Sequence, residues 1–532
     1  MIRGCCVILA LLSVLRWDLT EDKRYSLNDA TIQLVESLDE PVEVVVYLDG
    51  DLNSGFKRLR NATNELVEEL SSYGDITVRS GSAEEIEGKD LMPTVVHERT
   101  KDGKTAQTTI WPYASVSYKH RTAYIPLLHN SRGLSGEENL NQSIENLEYA
   151  FAEALHSLKQ SEPLRVAFLE GHNELSEREV YDLSRSLARY FEVDRGVLGT
   201  DPKALDPYKV VIIADPQQPF SERDKYILDQ YLMRGGRILW AVNGVRFSED
   251  ALTKGGKTPV IPLELNLSDM LFRYGIRVNP SLLQDVQCVP VPVNVSSDPQ
   301  QPNYQPVPWY YGPILLTSQL SPITRNVGQV SSSFASHVDA VGGEDGIEKR
   351  ILLATSTASR MTSTPAEVDL ADLNPDLSTF QYSHIPVAVS MEGVFQSIFS
   401  HRLPPEGLDS IDTQVTKSVP TKQVVIACGN ILRNDWQQGE PLPVGYDRYS
   451  GMQFGNRDFL TNAVLFLADD EGLIALREKE IALRLINTER AYANKAWIQT
   501  VSIIAPIIIL SIIGCVVLLY RRRRYGIEIE RV

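Results

Sequence analysis

The sequence predicts an α/β body of two Rossmann-like or flavodoxin-like units with mostly parallel sheets, flanked by transmembrane helices at the two ends of the chain. Three observations carry this reading. Short β-branched runs alternate with amphipathic helical stretches from Pro41 to Val242, the pattern of βαβ units. One such run, Leu164-Arg-Val-Ala-Phe-Leu169, is almost continuously apolar, as strands buried on both faces are. Finally, Ile498 to Tyr520 carries no charged residue, and at 1.5 Å per residue it covers roughly the 30 Å of a bilayer's hydrocarbon core.

In chain order, the uncharged run Cys5–Leu15 lies between Arg3 and Arg16. No small-x-small cleavage site follows it, so residues 1–17 are read as an uncleaved membrane anchor. A first α/β unit is expected over 18–160. It opens with an N-cap at Ser26 or Asn28 and a helix to Leu38. The dense run Val42–Leu48 is a strand, Phe56–Tyr73 a helix and Ile76–Arg79 the returning strand. Further strands are expected at Thr94–Arg99, Thr108–Ser117 and Arg121–Leu128, followed by one long helix over Ser135–Lys159.

A second α/β unit is expected over 161–470. After the strand ending at Leu169 comes Glu170-Gly-His-Asn-Glu174, then Ser176-Glu-Arg-Glu179, which fits a capping box for a helix running to Tyr190. Strands Phe191–Leu198, Val210–Ala214 and Arg237–Val242 enclose a helix Ser221–Arg234, stopped by Gly235-Gly236. The Pro, Ser, Gln and Asn-rich tract 289–308 reads as a long loop. Strand signals return at Ile351–Thr355, Ile385–Val389 and Gln423–Cys428, and helix signals at Gly393–His401 and Arg457–Leu467. Residues 471–495 form a membrane-proximal connector and 496–520 the transmembrane helix, with Trp497 and Tyr520 at its edges. Arg521–Arg524 open a basic tail, 521–532, that the positive-inside rule places in the cytoplasm. The residues between the two anchors then lie outside.

Composition narrows the chemistry. A net charge of −17 argues against nucleic acid, whose phosphates are bound by clustered Lys and Arg. The body holds only Cys288 and Cys428, with no Cys-x-x-Cys; lone thiols explain them, and a disulfide between them is the alternative. The turn Gly171–Glu174 is the best candidate ligand cleft, because doubly wound sheets bind ligands at the carboxyl ends of their strands. His172 and Glu174 have the chemistry of a general base with an orienting carboxylate, but no Gly-x-Ser-x-Gly nucleophile elbow accompanies them. They read instead as structural residues beside the Ser176 cap. Phosphate-binding glycine loops are absent, and the scattered histidines form no His-x-x-x-His. No catalytic, cofactor-binding or metal-binding residues are expected.

Several motifs are more specific: Asp18-Leu-Thr-Glu-Asp-Lys-Arg-Tyr-Ser26, Gly-His-x-Glu at 171–174, Tyr231-Leu-Met-Arg-Gly-Gly-Arg237, Gly445-Tyr-Asp447 and Phe454-Gly-Asn-Arg-Asp-Phe459. Together they resemble the GldG family, the auxiliary, so-called substrate-binding component of the gliding-motility-associated ABC transporter, over nearly the whole chain. The sequence departs from that family at Cys428-Gly-Asn430, where an acidic Asp-Gly-Asp turn is common. The resemblance implies a non-enzymatic accessory subunit of the bacterial inner membrane, with an extracytoplasmic body and separate permease and ATPase partners. Two rivals follow from the same residues: a solute-binding module with its ligand near Gly171–Glu174, and a hydrolase-like or amidotransferase-like enzyme. Within Gly445–Phe459, aromatics and arginines have the composition of an interaction surface. Tyr446, Arg448 and Tyr449 are the candidate partner contacts, with Asn456 expected to cap the helix from Arg457 to Leu467.

Overall fold

Apolar spacing fixes the first layer of the body, from residue 27 onward. The computed structural model describes residues 27–470, apart from 51, 90, 92, 100–104, 129–135, 160–162, 295, 297–300, 302, 326, 343–345, 371–374 and 410–413, and residues 495–525. The expected anchor at 1–17 and nearly all of the connector 471–495 lie outside the described residues. Helix α1 (Asp29–Glu36) starts at Asn28, whose side chain accepts the Ala30 amide. It leads to β1 (Val42–Val46), α2 (Ser54–Leu70) and β2 (Ile76–Ser80), which pairs parallel to β1. In α2, Phe56, Leu59, Thr63, Val67 and Leu70 are buried; their spacing of three or four puts them on one stripe that faces the core.

After α3 (Ala83–Ile86) come β3 (Thr94–Arg99), β4 (Thr105–Ile110), β5 (Tyr113–Tyr118) and β6 (Arg121–Pro126). The strand expected over Thr108–Ser117 is two strands, broken at Trp111-Pro112, where proline has no N–H to give a ladder. Helices α4 (Gly136–Glu145) and α5 (Leu147–Lys159) replace the single helix expected there. The first sheet has the order β2-β1-β5-β6, and only its β1–β2 pair is parallel.

The second half opens with β7 (Arg165–Glu170), α6 (Tyr181–Leu187), β8 (Glu192–Val197), β9 (Val210–Ala214), α7 (Glu222–Met233) and β10 (Arg237–Ala241). Ser221 caps α7 by accepting the Asp224 amide, and Gly235, at φ +97°, ends it. The middle of the chain, where the pattern loosens, is mostly strand. It contains β11 (Val245–Arg246), α8 (Glu249–Gly255), β12 (Lys257–Pro262), α9 (Ser268–Tyr274), β13 (Ile276–Val278), β14 (Ser281–Asp285), β15 (Cys288–Asn294) and β16 (Tyr304–Thr317). Next come β17 (Val330–Ser331), β18 (Val338–Ala340), β19 (Glu348–Ala354), β20 (Ser359–Ser363), β21 (Ala366–Asp369), β22 (Pro386–Gly393) and β23 (Thr421–Ile426). Two small hairpins, β24 (Trp436–Gln437) with β25 (Glu440–Pro441) and β26 (Tyr446–Asp447) with β27 (Met452–Gln453), precede α10 (Asn456–Ala468).

The large sheet has the order β15-β16-β19-β22-β23-β10-β9-β7-β8, with β17 beside β16. From β23 to β8 neighbouring strands are parallel, but from β15 to β23 every pair is antiparallel. Together with the first sheet and the small pairs, this corrects the expectation of mostly parallel sheets: the architecture mixes helices with largely antiparallel pairing. Apolar periodicity reports burial, not strand direction, and a parallel neighbour needs a crossover, usually helical. The helix expected over Gly393–His401 is absent; turns and a bridge from Gln396 to Lys417 occupy it, so β22 and β23 pair antiparallel.

The tract 289–308 is likewise not a long loop but most of the β15–β16 hairpin. Pro290 faces Pro308 and Pro292 faces Pro306, while Val291 faces Val307 between them. Prolines two apart share one class of cross-strand pair, the class that exchanges no hydrogen bonds, so the ladder survives four residues that usually forbid it.

The parallel strands are covered on both faces. Val210, Ile212 and Leu239 pack with Phe459 and Leu460 of α10, and the alternate residues Val211, Ile213 and Trp240 pack with Tyr231 and Leu232 of α7. This two-sided burial explains the continuously apolar runs. A separate unit holds α11 (Lys495–Tyr525), within which Ser502–Arg523 is long and apolar enough to cross a membrane, with a mean hydropathy of 2.9.

Candidate functional site

Between β7 and β9 the strand order reverses, since β8 lies to one side of β7 and β9 to the other. The carboxyl ends at such a point are where open sheets bind ligands. Beyond β7, Gly171 at φ +119° and Asn173 at φ +57° turn the chain sharply. The turn folds His172 inward, where its ring stacks on Phe220 with centroids 3.6 Å apart. Its Nδ1 lies 3.0 Å from Glu174 Oε1 and its Nε2 3.3 Å from Asp224 Oδ2. The His172 amide donates to Glu174 Oε2 at 2.7 Å, and its carbonyl accepts the Gln217 and Gln218 amides at 2.8 and 2.9 Å.

Burial opposes charge on this imidazole, but the bonds and fields of Glu174 and then Asp224 outweigh it and raise its pKa above the ordinary value. The ring lies between two carboxylates and ties the β7 turn to the start of α7, because Asp224 also accepts the Ser221 hydroxyl at 2.6 Å. The structure therefore brings His172 and Glu174 together, with both ring nitrogens occupied and only 6% of His172 exposed. The expected Ser176 cap is present in part. Glu179 accepts the Ser176 amide at 2.9 Å and its hydroxyl at 2.7 Å, but a turn follows and α6 runs only from Tyr181 to Leu187.

A second polar group forms where β9, β10 and β23 end. Asn243 donates to Asp215 Oδ1 at 2.8 Å and accepts the Gly429 amide at 2.9 Å. A Cβ at Gly429 would stand 2.1 Å from Asp215 Oδ1, so only glycine permits this approach. Desolvation, helped by Glu249 and Glu179 and opposed by Arg433, pushes the Asp215 carboxyl up to about 7. Arg433 lies between those two carboxylates, 2.8 Å from Glu249 and 3.5 Å from Glu179. The neighbouring Cys428 thiol is fully buried and pushed up to about 12 by burial, which leaves it protonated and poorly nucleophilic. Cys288 and Cys428 are both free.

Asp215 and Asn243 belong to no sequence motif, and Gly429 only to the Cys428-Gly-Asn430 turn, yet each directly follows or nearly follows an apolar strand run; a polar residue or glycine at that place is the available signal. The acidic group beside the Cys428-Gly-Asn430 turn thus comes from β9 and not from the turn. Among the described residues, no group of three or more His, Cys, Asp or Glu is placed to hold a metal ion.

Tyr446, Arg448 and Tyr449 sit on the β26–β27 hairpin, a different element from the His172 turn. Asp447 organises its tip by accepting the Tyr449 and Ser450 amides at 3.2 and 3.0 Å. The Arg448 guanidinium lies 4.8 Å from the centre of the Tyr449 ring, and Tyr449 is 55% exposed. Asn456 does not cap the following helix. Its side chain accepts the Ser331 amide at 2.9 Å and donates to the Ser331 carbonyl at 2.8 Å, tying α10 to β17, and the cap position belongs to Gly455.

Over residues 164–463, from β7 into α10, the chain matches the profile of a family described as ABC-type uncharacterized transport system. The chain belongs to this family. Its members are auxiliary components of ABC-type transport, so the matched region, which holds both the His172 turn and the Asp215 group, is that of a transporter accessory. Residues 21–117 of this ABC-type auxiliary chain also match a domain of unknown function, DUF7088. Comparison with curated proteins finds no match. Among solved structures, one titled mmIFT52 N-terminal domain aligns at 14% identity and a TM-score of 0.30, covering 51% of this chain and 88% of that one.

Proposed function

We propose that this chain is a membrane-anchored, non-enzymatic accessory subunit of the GldG kind, working beside a separate permease and ATPase of a bacterial inner-membrane ABC transporter linked to gliding motility or surface export. The family match over 164–463 carries the reading. The apolar helix Ser502–Arg523 supports anchoring, and the arginines at its end support an extracytoplasmic body. Division of the body near residue 160 accords with the two separate matches.

His172 and Glu174 serve as structural residues in this proposal, since the ring nitrogens of His172 are taken up by Glu174 and by Asp224 of α7. The exposed tip of the β26–β27 hairpin is the contact for a partner subunit, through Tyr446, Arg448 and Tyr449. Affinity purification from detergent-solubilised membranes tests both statements. A permease and an ATPase should come with the wild-type chain, and replacing those three residues with Ala should deplete them while the melting temperature stays within a few degrees. Recovery of the chain without any transporter subunit defeats the accessory reading; undiminished recovery with the triple variant defeats only the hairpin assignment.

A further inference from the structure

Away from the two groups described above, α9, β13 and the turns after β22 enclose an open groove of about 1030 Å³, at the upper end of the roughly 300–1,000 Å³ typical of small-molecule sites. Its charge contrasts with that of the whole. In a chain of net charge −17, Arg273, Arg277 and Arg402 line this groove against a single lining carboxylate, Asp269. That carboxylate is itself engaged: the Nζ of Lys225, which is 1% exposed, bonds it at 2.8 Å. The groove is therefore a local positive field in an acidic molecule.

The arginines differ in how far they are committed. Arg273 donates to Gln396. Arg402 reaches Asp269 only at 3.5 Å and Glu222 at 4.0 Å, through a side chain 53% exposed, so it is weakly held. Arg277 has no carboxylate partner among the described residues; its guanidinium lies 5.5 Å from the centre of the Phe272 ring, and Phe272 is 44% exposed. A guanidinium oriented on an aromatic face keeps its forked donors free for a planar or tetrahedral oxyanion. Ile398, Val278 and Pro280 supply apolar wall beside it.

We infer that this groove binds an anionic ligand that places a phosphate or carboxylate between Arg277 and Arg402 and lays an apolar portion against Phe272. The inference goes beyond the accessory-subunit reading and stands apart from it. Either a soluble metabolite or a lipid headgroup supplies that chemistry. The test uses the full chain in uncharged detergent at constant ionic strength, titrated calorimetrically with inorganic pyrophosphate and, separately, with dihexanoyl phosphatidic acid below its micellar concentration. Saturable binding of either probe is expected, weakened at least tenfold in R277Q/R402Q and largely retained in R277K; preference for one probe identifies the source. Arg277→Gln alone, which breaks no ion pair among the described residues, serves if the double variant does not fold. No binding of either probe at millimolar concentration, or binding unchanged by R277Q, overturns the inference.

Discussion

His172 is a buried imidazole whose two ring nitrogens both face carboxylates, and that arrangement has a pH signature. Its folded pKa is raised above the ordinary histidine value of about 6.5. Stability from this source is therefore fully present below about pH 6.5 and is lost as pH rises through the folded pKa. Substituting His172→Gln should cost about 2 kcal/mol at pH 6, in the range of hydrogen bonds to charged groups, and progressively less toward pH 9. Urea unfolding of both proteins across that range checks it, and a pH-independent difference would refute the clamped imidazolium. Asp215 moves stability in the same direction with pH but for the opposite reason, because here the neutral form is favoured. Its pKa is pushed up to about 7, so ionisation is disfavoured in the folded state and stability falls between about pH 4 and pH 7. Asp215→Asn should relieve that cost, on the order of 2–4 kcal/mol above pH 7, and leave stability near pH 4 almost unchanged. A variant less stable than wild type at pH 8 would show instead that the carboxylate is needed by its neighbours.

The proline-paired hairpin shows what can be tested at the level of an element. If Pro290, Pro292, Pro306 and Pro308 all occupy pairs that exchange no hydrogen bonds, the intervening Val291 occupies one that does. Val291→Pro should then break the hairpin and cost about 3 kcal/mol or more, whereas Pro292→Val should change stability by less than about 1 kcal/mol. Equal melting temperatures for the two variants would reject the assigned register. The same hairpin shows why part of the fold was hidden. Val42–Leu48, Leu164–Leu169 and the capped α7 were legible because spacing, Asn or Ser caps and Gly235 act locally. The tract 289–308 was not, because its prolines have meaning only opposite other prolines across the strand pair. Asn456 misled for a similar reason: its position before an apolar run suits a cap, but Ser331, distant in sequence, takes its side chain. His172 and Glu174 were visible from their turn; Phe220 and Asp224, which fix what the histidine does, come from the next crossover.

At the scale of the whole molecule, the proposed orientation in the membrane is the property to test. Leu403 is 90% exposed, so a Leu403→Cys variant gives a surface reporter where the native body thiols are buried or half-buried. A membrane-impermeant maleimide should label it in intact spheroplasts, and neutralising Arg521–Arg524 should reduce that labelling. Modification only after the inner membrane is broken would invert the topology. In the anchored arrangement proposed above, many copies share two dimensions, and there the outer rim of the large sheet matters. In β15, the residues of pairs without internal hydrogen bonds point their backbone groups away from β16, so Pro290 and Pro292 remove the donors that a strand from another molecule would need. The rim is thus blunted against extension by a neighbour. Replacing both prolines with Val should leave the melting temperature nearly unchanged yet promote concentration-dependent association, visible by light scattering: a body built to stand crowded against its own copies without joining them.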